Sequence, residues 1–154
     1  MIRILRTNTE NKDFIDLVKL LDTELAVRDD EDHAFYSPFN KIDKIKYAVV
    51  VYENDRPLGC DAIKEYDPEA TEVKRMYVSL ESRGRGIATN VLTELEKWAG
   101  ELGYKRCVLE TGKKQPEAIA LYENSGYKII PNYGQYTGIE NSVCFEKPLK
   151  STNS

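Results

Sequence analysis

Two periods of hydrophobicity alternate along this chain and divide it into strands and helices. Residues 2–6 predict a short first strand. Phe14, Leu17, Val18, Leu21 and Leu25 then recur at the spacing of one helical face and predict an amphipathic helix over 12–26. Asn8, Thr9 and Asn11 are candidate caps for it, since their side chains can accept from its first unpaired N–H groups. Residues 28–40 are acidic and aromatic with little periodicity and read as a loop or broken helix. Apolar, largely β-branched runs at 47–52, 58–65 and 73–78, separated by turns at 53–57 and 67–69, predict a meander of strands. A helix follows over 86–102, with Ile87, Val91, Leu95, Trp98 and Leu102 as its buried stripe and Glu94, Lys97 and Glu101 outside. Gly103 sits where a C-terminal glycine belongs.

The next strand, 107–110, comes after a helical crossover, so it should lie parallel to 73–78 with a right-handed connection. Pro116 suits the first turn of another helix ending near Gly126. Strands at 127–130 and 143–147 close the chain around an aromatic, glycine-containing loop at 131–141. The whole is expected to form one domain over 1–149, with a loose tail over 150–154.

The most informative stretch is Arg83-Gly84-Arg85-Gly86-Ile87-Ala88, between the third meander strand and a helix start. The first N–H groups of a helix have no partner inside it, and the helix dipole favours negative charge there. Gly84 and Gly86 permit unusual backbone angles and close approach of a ligand, and Arg83 and Arg85 add positive charge suited to phosphate. The loop therefore reads as a phosphate or pyrophosphate site. It is not a P-loop, because no lysine follows Gly86. It is not a dinucleotide fingerprint either, because it follows an antiparallel meander rather than opening a βαβ unit.

Composition narrows the function. Hydrophobic content of 41% with 31% charged residues is the balance of a globular chain rather than a disordered one. No apolar run approaches the roughly 20 residues of a membrane-spanning helix. The N-terminus lacks the features of a signal peptide, so a cytoplasmic protein with no membrane contact is expected. A net charge of −4 argues against general nucleic-acid binding. Cys60, Cys107 and Cys144 lack metal or disulfide spacing and read as small buried hydrophobes. His33 is the only histidine, which excludes a multi-histidine metal site, and no metal is expected.

With these motifs in view, the chain resembles the GNAT superfamily of acyl-CoA-dependent N-acetyltransferases, most firmly over 47–147. That superfamily's pyrophosphate loop reads Q/R-x-x-G-x-G/A, matched here by Arg83 to Ala88. A second signature, roughly N-x-x-A-x-x-L-Y-x-x-x-G-F/Y, is matched by the run from Gln115 through Ala118, Leu121 and Tyr122 to Gly126 and Tyr127, with Gln115 in place of the usual asparagine. The resemblance implies an α/β (α+β) fold: a mixed, mostly antiparallel twisted sheet with helices on both faces and a V-shaped splay between two parallel central strands. It implies acetyl-CoA or coenzyme A as cofactor. The pantetheine arm would lie on main-chain groups of Met76, Tyr77 and Val78, and the pyrophosphate on Arg83, Gly84, Arg85, Gly86, Ile87, Ala88 and Thr89, with Gln115 nearby.

The resemblance also makes Tyr122 the acid for the leaving thiolate. A phenol with pKa about 10 can donate to a thiolate whose acid has pKa about 8.5. Glu72, eleven residues before Arg83, is the candidate base, acting through water or by orienting the ammonium; a sheet-face carboxylate paired with Lys74 or Arg75 is the equal alternative. Strand alternation predicts Glu72, Lys74, Met76 and Val78 on one face and Val73, Arg75 and Tyr77 on the other. Asp30, Asp32, Tyr133 and Tyr136 are candidate acceptor contacts; a solvated surface is the alternative, and the stronger one, for the two aspartates, and a structural loop role the equal alternative for the two tyrosines. The leading expectation is acetyl transfer to a primary amine of a small molecule such as an amino acid, by direct attack in a ternary complex. A protein or peptide acetyltransferase, or a non-catalytic CoA-binding module, are the alternatives. The closing strands could pair between two copies, which leaves a homodimer open.

Overall fold

The computed structural model describes residues 2–29 and 46–149. Strand β1 (Ile2–Thr7) leads into helix α1 (Lys12–Asp29). Asn11 caps that helix through its Oδ1, which accepts from the Phe14 N–H at 3.0 Å. A meander follows: β2 (Tyr47–Glu53), β3 (Arg56–Asp67) and β4 (Ala70–Val78). The β2–β3 hairpin turns on Asn54 and Asp55, with φ of 51° and 69°. Asn and Asp tolerate the left-handed region better than most side chains, and two such residues in a row match the twist of a tight hairpin. Then come a single 3₁₀ turn (Leu80–Ser82), α2 (Ile87–Glu101), β5 (Arg106–Gly112), α3 (Pro116–Asn124), β6 (Lys128–Ile130) and β7 (Ser142–Pro148).

The strands form one mixed sheet in the order β1-β2-β3-β4-β5-β7-β6. Every neighbouring pair is antiparallel except β4–β5, which is parallel, as the helical crossover requires. Both faces of the sheet are covered, which is why Val49, Val50 and Val51 can be consecutive and all buried. On one face Phe14, Leu17, Val18 and Leu21 of α1 pack on Ala48, Val50, Cys60 and Ala62. On the other, Ile87, Val91, Leu92, Leu95 and Ala99 of α2 pack on Val49, Val51 and Ile63. The expected stripe on α2 is rotated slightly: Leu92 and Ala99 are buried, Trp98 is half-buried against Tyr47, and Leu102 is 40% exposed beyond the helix end. Cys60, Cys107 and Cys144 are free and buried, as small hydrophobes should be.

The parallel pair is short. Ala70, Thr71 and Glu72 pair with Arg106, Cys107 and Val108, and the ladder then stops although β4 continues to Val78 and β5 to Gly112. The two strands part beyond Glu72, so the expected splay is present.

The alternation predicted along β4 fails halfway. Ala62 pairs with Lys74 but Cys60 with Tyr77, so β4 carries one extra residue, and Arg75 sits there with φ +82°. The bulge resets the pleat. Lys74 and Tyr77 pair with residues of the α1-side core, whereas Val73, Met76 and Val78 pack on the α2 side. Holding a non-glycine residue in the left-handed region costs about 1–2 kcal/mol.

Gly59 fixes how closely β3 approaches the end of β4. A methyl group there would lie 2.9 Å from the Tyr77 carbonyl oxygen and 3.3 Å from Ile87 Cγ2. Gly59→Ala should therefore destabilise the protein by about 1–3 kcal/mol through overpacking against backbone, read as a lower urea midpoint. An unchanged midpoint would mean that the strand end can give way freely.

Candidate active site

The gap between β4 and β5 opens into a cleft of about 630 Å³ that runs from Glu72 to the start of α2. At that start Gly86 is the N-cap with φ 77°, no side chain caps the helix, and no acid lies in its first turn. The ladder begins with Asn90 N–H donating to the Gly86 carbonyl, which leaves the earlier amides without helical acceptors. A Cβ placed on Gly84 or Gly86 would meet nothing within 4 Å, but both residues have positive φ that a side chain would strain. An open cradle of amides without an internal anion fits a diphosphate.

The two loop arginines behave differently from the expectation of free positive charge. Arg83 Nε donates to the Val78 carbonyl at 2.9 Å, and its terminal nitrogens make a bidentate pair with Glu24 of α1. Its guanidinium also lies 5.6 Å from the Tyr77 ring centroid. Arg85 makes a bidentate pair with Glu53. Both guanidinium groups are paired with carboxylates, and Arg83 straps the glycine loop to β4 and α1.

The walls of the cleft come from both faces of the sheet. From the α2 side come Met76, Val78, Ile87, Ala88, Thr89, Gln115 and Tyr122. Gln115 is the N-cap of α3 but makes no side-chain capping bond. Tyr122 is buried, with its ring 5.7 Å from Tyr127 and 6.0 Å from Phe145. Burial, reinforced by the charges of Asp61 and Glu110, pushes its phenol well above the usual range and keeps the proton on Oη.

From the α1 side come Glu72, Lys74, Arg75, Tyr136 and Glu110, the last paired with Cys144 across β5–β7. Tyr133 Oη donates to Glu72 Oε2 at 2.6 Å. Glu72 Oε1 lies 3.8 Å from Lys74 Nζ and 3.9 Å from Lys64 Nζ. Sequence reasoning thus picked Glu72 and Tyr133 separately, and the fold brings them into one hydrogen bond. Tyr133 itself stands behind the wall, edge-on to Tyr136 at 5.8 Å, while Tyr136 faces the cleft. Burial, then the charge of Glu72, raises the Tyr133 phenol; burial, then Glu110 and Glu72, raises Tyr136. Asp30 and Asp32 lie outside the described residues.

Lys74 and Arg75 line the cleft, whereas the sequence assigns them only as partners for Glu72; their signal is a Glu-x-Lys-Arg run in a strand otherwise rich in apolar residues. Asp61, in the apolar run Gly59-Cys60-Asp61-Ala62-Ile63, is fully buried on the α2 side, opposite Val49. Its Oδ1 accepts from the Ala62 N–H at 2.8 Å, and its Oδ2 has no hydrogen-bond partner among the described residues. Burial pushes its carboxyl well above the usual value, against the pull of the Ala62 N–H and of Arg75. Among the described residues no cluster of His, Cys, Asp or Glu could hold a metal, and no helix is long and apolar enough to cross a membrane.

Burial lowers Lys74 to about 8, against the opposing pull of Glu72. In an unfolded chain the same amine has pKa about 10.4. Below pH 8 both states are protonated and the full penalty of burying the charge, roughly 3 kcal/mol, is present. Between pH 8 and about 10.4 the unfolded state binds more protons, so this penalty fades as pH rises. Lys74→Met removes this pH dependence and also leaves Glu72 with one cation fewer, so the variant should lose about 1–3 kcal/mol relative to wild type on going from pH 7 to pH 10. Urea unfolding at the two pH values reads this directly, and a difference that does not change with pH would contradict it.

Residues 14–127 match the model of the acetyltransferase (GNAT) family. Over 100 residues the chain is 35% identical to the uncharacterised N-acetyltransferase YsnE of Bacillus subtilis, a stretch that makes up 64% of this chain and 66% of YsnE. The chain thus spans just under two thirds of that relative's length. A crystal structure from Klebsiella pneumoniae, assigned to the acyl-CoA N-acyltransferases, superposes with a TM-score of 0.81 at 27% identity over 97% of this chain and 99% of that one. A GNAT acetyltransferase from Elizabethkingia anophelis with acetyl-CoA bound shares the fold, with a TM-score of 0.68 at 20% identity over 96% and 98% of the two chains. A parallel pair that opens onto an uncapped helix start, in a chain matched over most of its length by one family model, has a single reading: this chain belongs to the GNAT acetyltransferase family.

Proposed function

We propose that this protein transfers the acetyl group of acetyl-CoA to the primary amine of a small molecule, by direct attack in a ternary complex. The observation that carries the reading is one cleft that joins the uncapped start of α2, Tyr122 and Glu72. The cofactor supplies an acyl thioester as electrophile and a thiolate as leaving group.

The amides of Gly84 to Thr89 would hold the diphosphate, in a cradle that carries no competing carboxylate at the helix start. Main-chain groups of Met76, Tyr77 and Val78, on the β5-facing edge of β4 beyond the point where the two strands stop pairing, would hold the pantetheine arm as a strand is held. Tyr122 Oη would hold its proton until the carbon–sulfur bond breaks and then give it to the leaving sulfur. Burial raises phenols and thiols alike, so the raised Tyr122 remains a matched donor to a thiolate formed in the same cleft.

The acceptor would approach from the α1 face, where Glu72 can orient an ammonium and pass its proton outward through water. Tyr133 fixes the carboxylate for that task. Glu72 and Tyr136 are 3% exposed each, and this depth favours a small amine over a folded protein surface. Tyr122 and Glu72 together also favour an enzyme over a CoA-binding module, which needs neither.

Acetyl-CoA turnover measured over amines, amino acids and short peptides tests the reading. Turnover of peptides alone would favour a protein acetyltransferase, and tight CoA binding with no turnover would favour the module. Tyr122→Phe should slow turnover by about 10²–10⁴ with little change in acetyl-CoA affinity; an unchanged rate removes Tyr122 as donor. Glu72→Gln should reduce the rate most at low pH, where the amine is hardest to deprotonate, whereas a uniform loss across pH would assign Glu72 a structural role.

A further inference from the structure

We propose that the acceptor amine also carries a carboxylate, which Arg75 and Lys74 recognise. This rests on the acyl-transfer reading of the cleft. Arg75 is 6% exposed and Lys74 9%, both inside a central strand, and both line the cleft on the α1 face. Charged side chains are rarely buried so deeply, because desolvation opposes them. Arg75 also holds φ +82°, a conformation glycine would adopt without strain. Two independent costs, one of burial and one of backbone, fall on the same residue at a bulge beside the cleft. Strain retained in such a place points to function rather than to stability.

The charges of the wall define what fits it. Glu72 and Glu110 stand on the same face as Lys74 and Arg75, with Asp22 of α1 acting on Arg75 from the helix side. Asp61, the remaining acid acting on Arg75, lies on the opposite, α2 face of the sheet. A simple monoamine would use only the acids of this wall and make no contact of opposite charge with Arg75 or Lys74. An amine bearing a carboxylate places an opposite charge against each part of the wall: its ammonium toward Glu72, its carboxylate toward the guanidinium. The planar fork of Arg75 suits a carboxylate in two-point contact, with Lys74 as a neighbouring point charge. Amino acids, α or ω, have this pattern.

The test uses the full chain loaded with CoA for binding and with acetyl-CoA for turnover. Common α- and ω-amino acids are compared with their carboxamides and with the matched simple amines. At least one amino acid is expected to bind, and to react in kcat/KM, about tenfold or more better than its amide. That acid-to-amide ratio should collapse toward one in Arg75→Gly, which accepts the left-handed backbone, and in Lys74→Met. Amides that bind as well as the acids, a ratio that survives in both variants, or no binding of any carboxylate would overturn the proposal. Turnover of amides and simple amines without preference for acids would overturn it while leaving acyl transfer intact. Selective binding of the acids with no turnover of any amine would instead uphold the carboxylate site and defeat the enzyme reading.

Discussion

The structure turns on a pair of strands that stop bonding in the middle of a sheet. Beyond Glu72 and Val108, β4 and β5 no longer pair, although both continue. Main-chain groups facing such a gap require partners, and a sheet interior offers none but water or an extended ligand. The gap persists because each strand is held on its far side. β4 is paired along its length with β3, and β5 with β7 from Arg106 to Gly112. α1 and α2 press on opposite faces, so closing the gap would require moving a packed core. The cleft is therefore a property of the whole sheet, and the site inherits its rigidity.

The bulge at Arg75 adds a second consequence. By resetting the pleat, it turns Val73, Met76 and Val78 all toward α2 while Lys74 and Tyr77 stay with the α1 side. The gap consequently joins two chemically different surfaces. One is apolar, with Tyr122 and the start of α2. The other carries Glu72, Lys74, Arg75, Glu110 and Tyr136. A thioester on the first side and an amine on the second would meet only through the opening, which keeps the charged acceptor wall away from the apolar channel.

Much of this was legible in the sequence, for reasons that differ by residue. Gly84 and Gly86 were visible because a positive φ is a demand few residues other than glycine meet. The strand–helix–strand order gave the parallel pair, because connection handedness leaves few choices. The face assignment along β4 failed because a bulge leaves no mark when its left-handed residue is an arginine instead of a glycine. The role of Arg83 and Arg85 changed because their carboxylate partners, Glu24 and Glu53, are 59 and 32 residues away. The hydrogen bond between Tyr133 and Glu72 spans 61 residues and likewise depends on the fold being already formed.

This contrast has a physical origin. The end of the cleft proposed for the cofactor presents main-chain amides, whose presence needs only permissive backbone and a helix start, so a short motif encodes it. The end proposed for the acceptor is lined by side chains on β4, β5 and the 131–141 loop, brought together by long-range pairing and set by mutual burial. These side chains lie on the opposite face of the sheet from the start of α2. On the proposed reading, recognition of the acyl carrier and recognition of the acceptor therefore draw on different faces of one sheet. The lysine and arginine buried at the bulge belong to the acceptor side, where their cost is hard to justify on packing grounds alone.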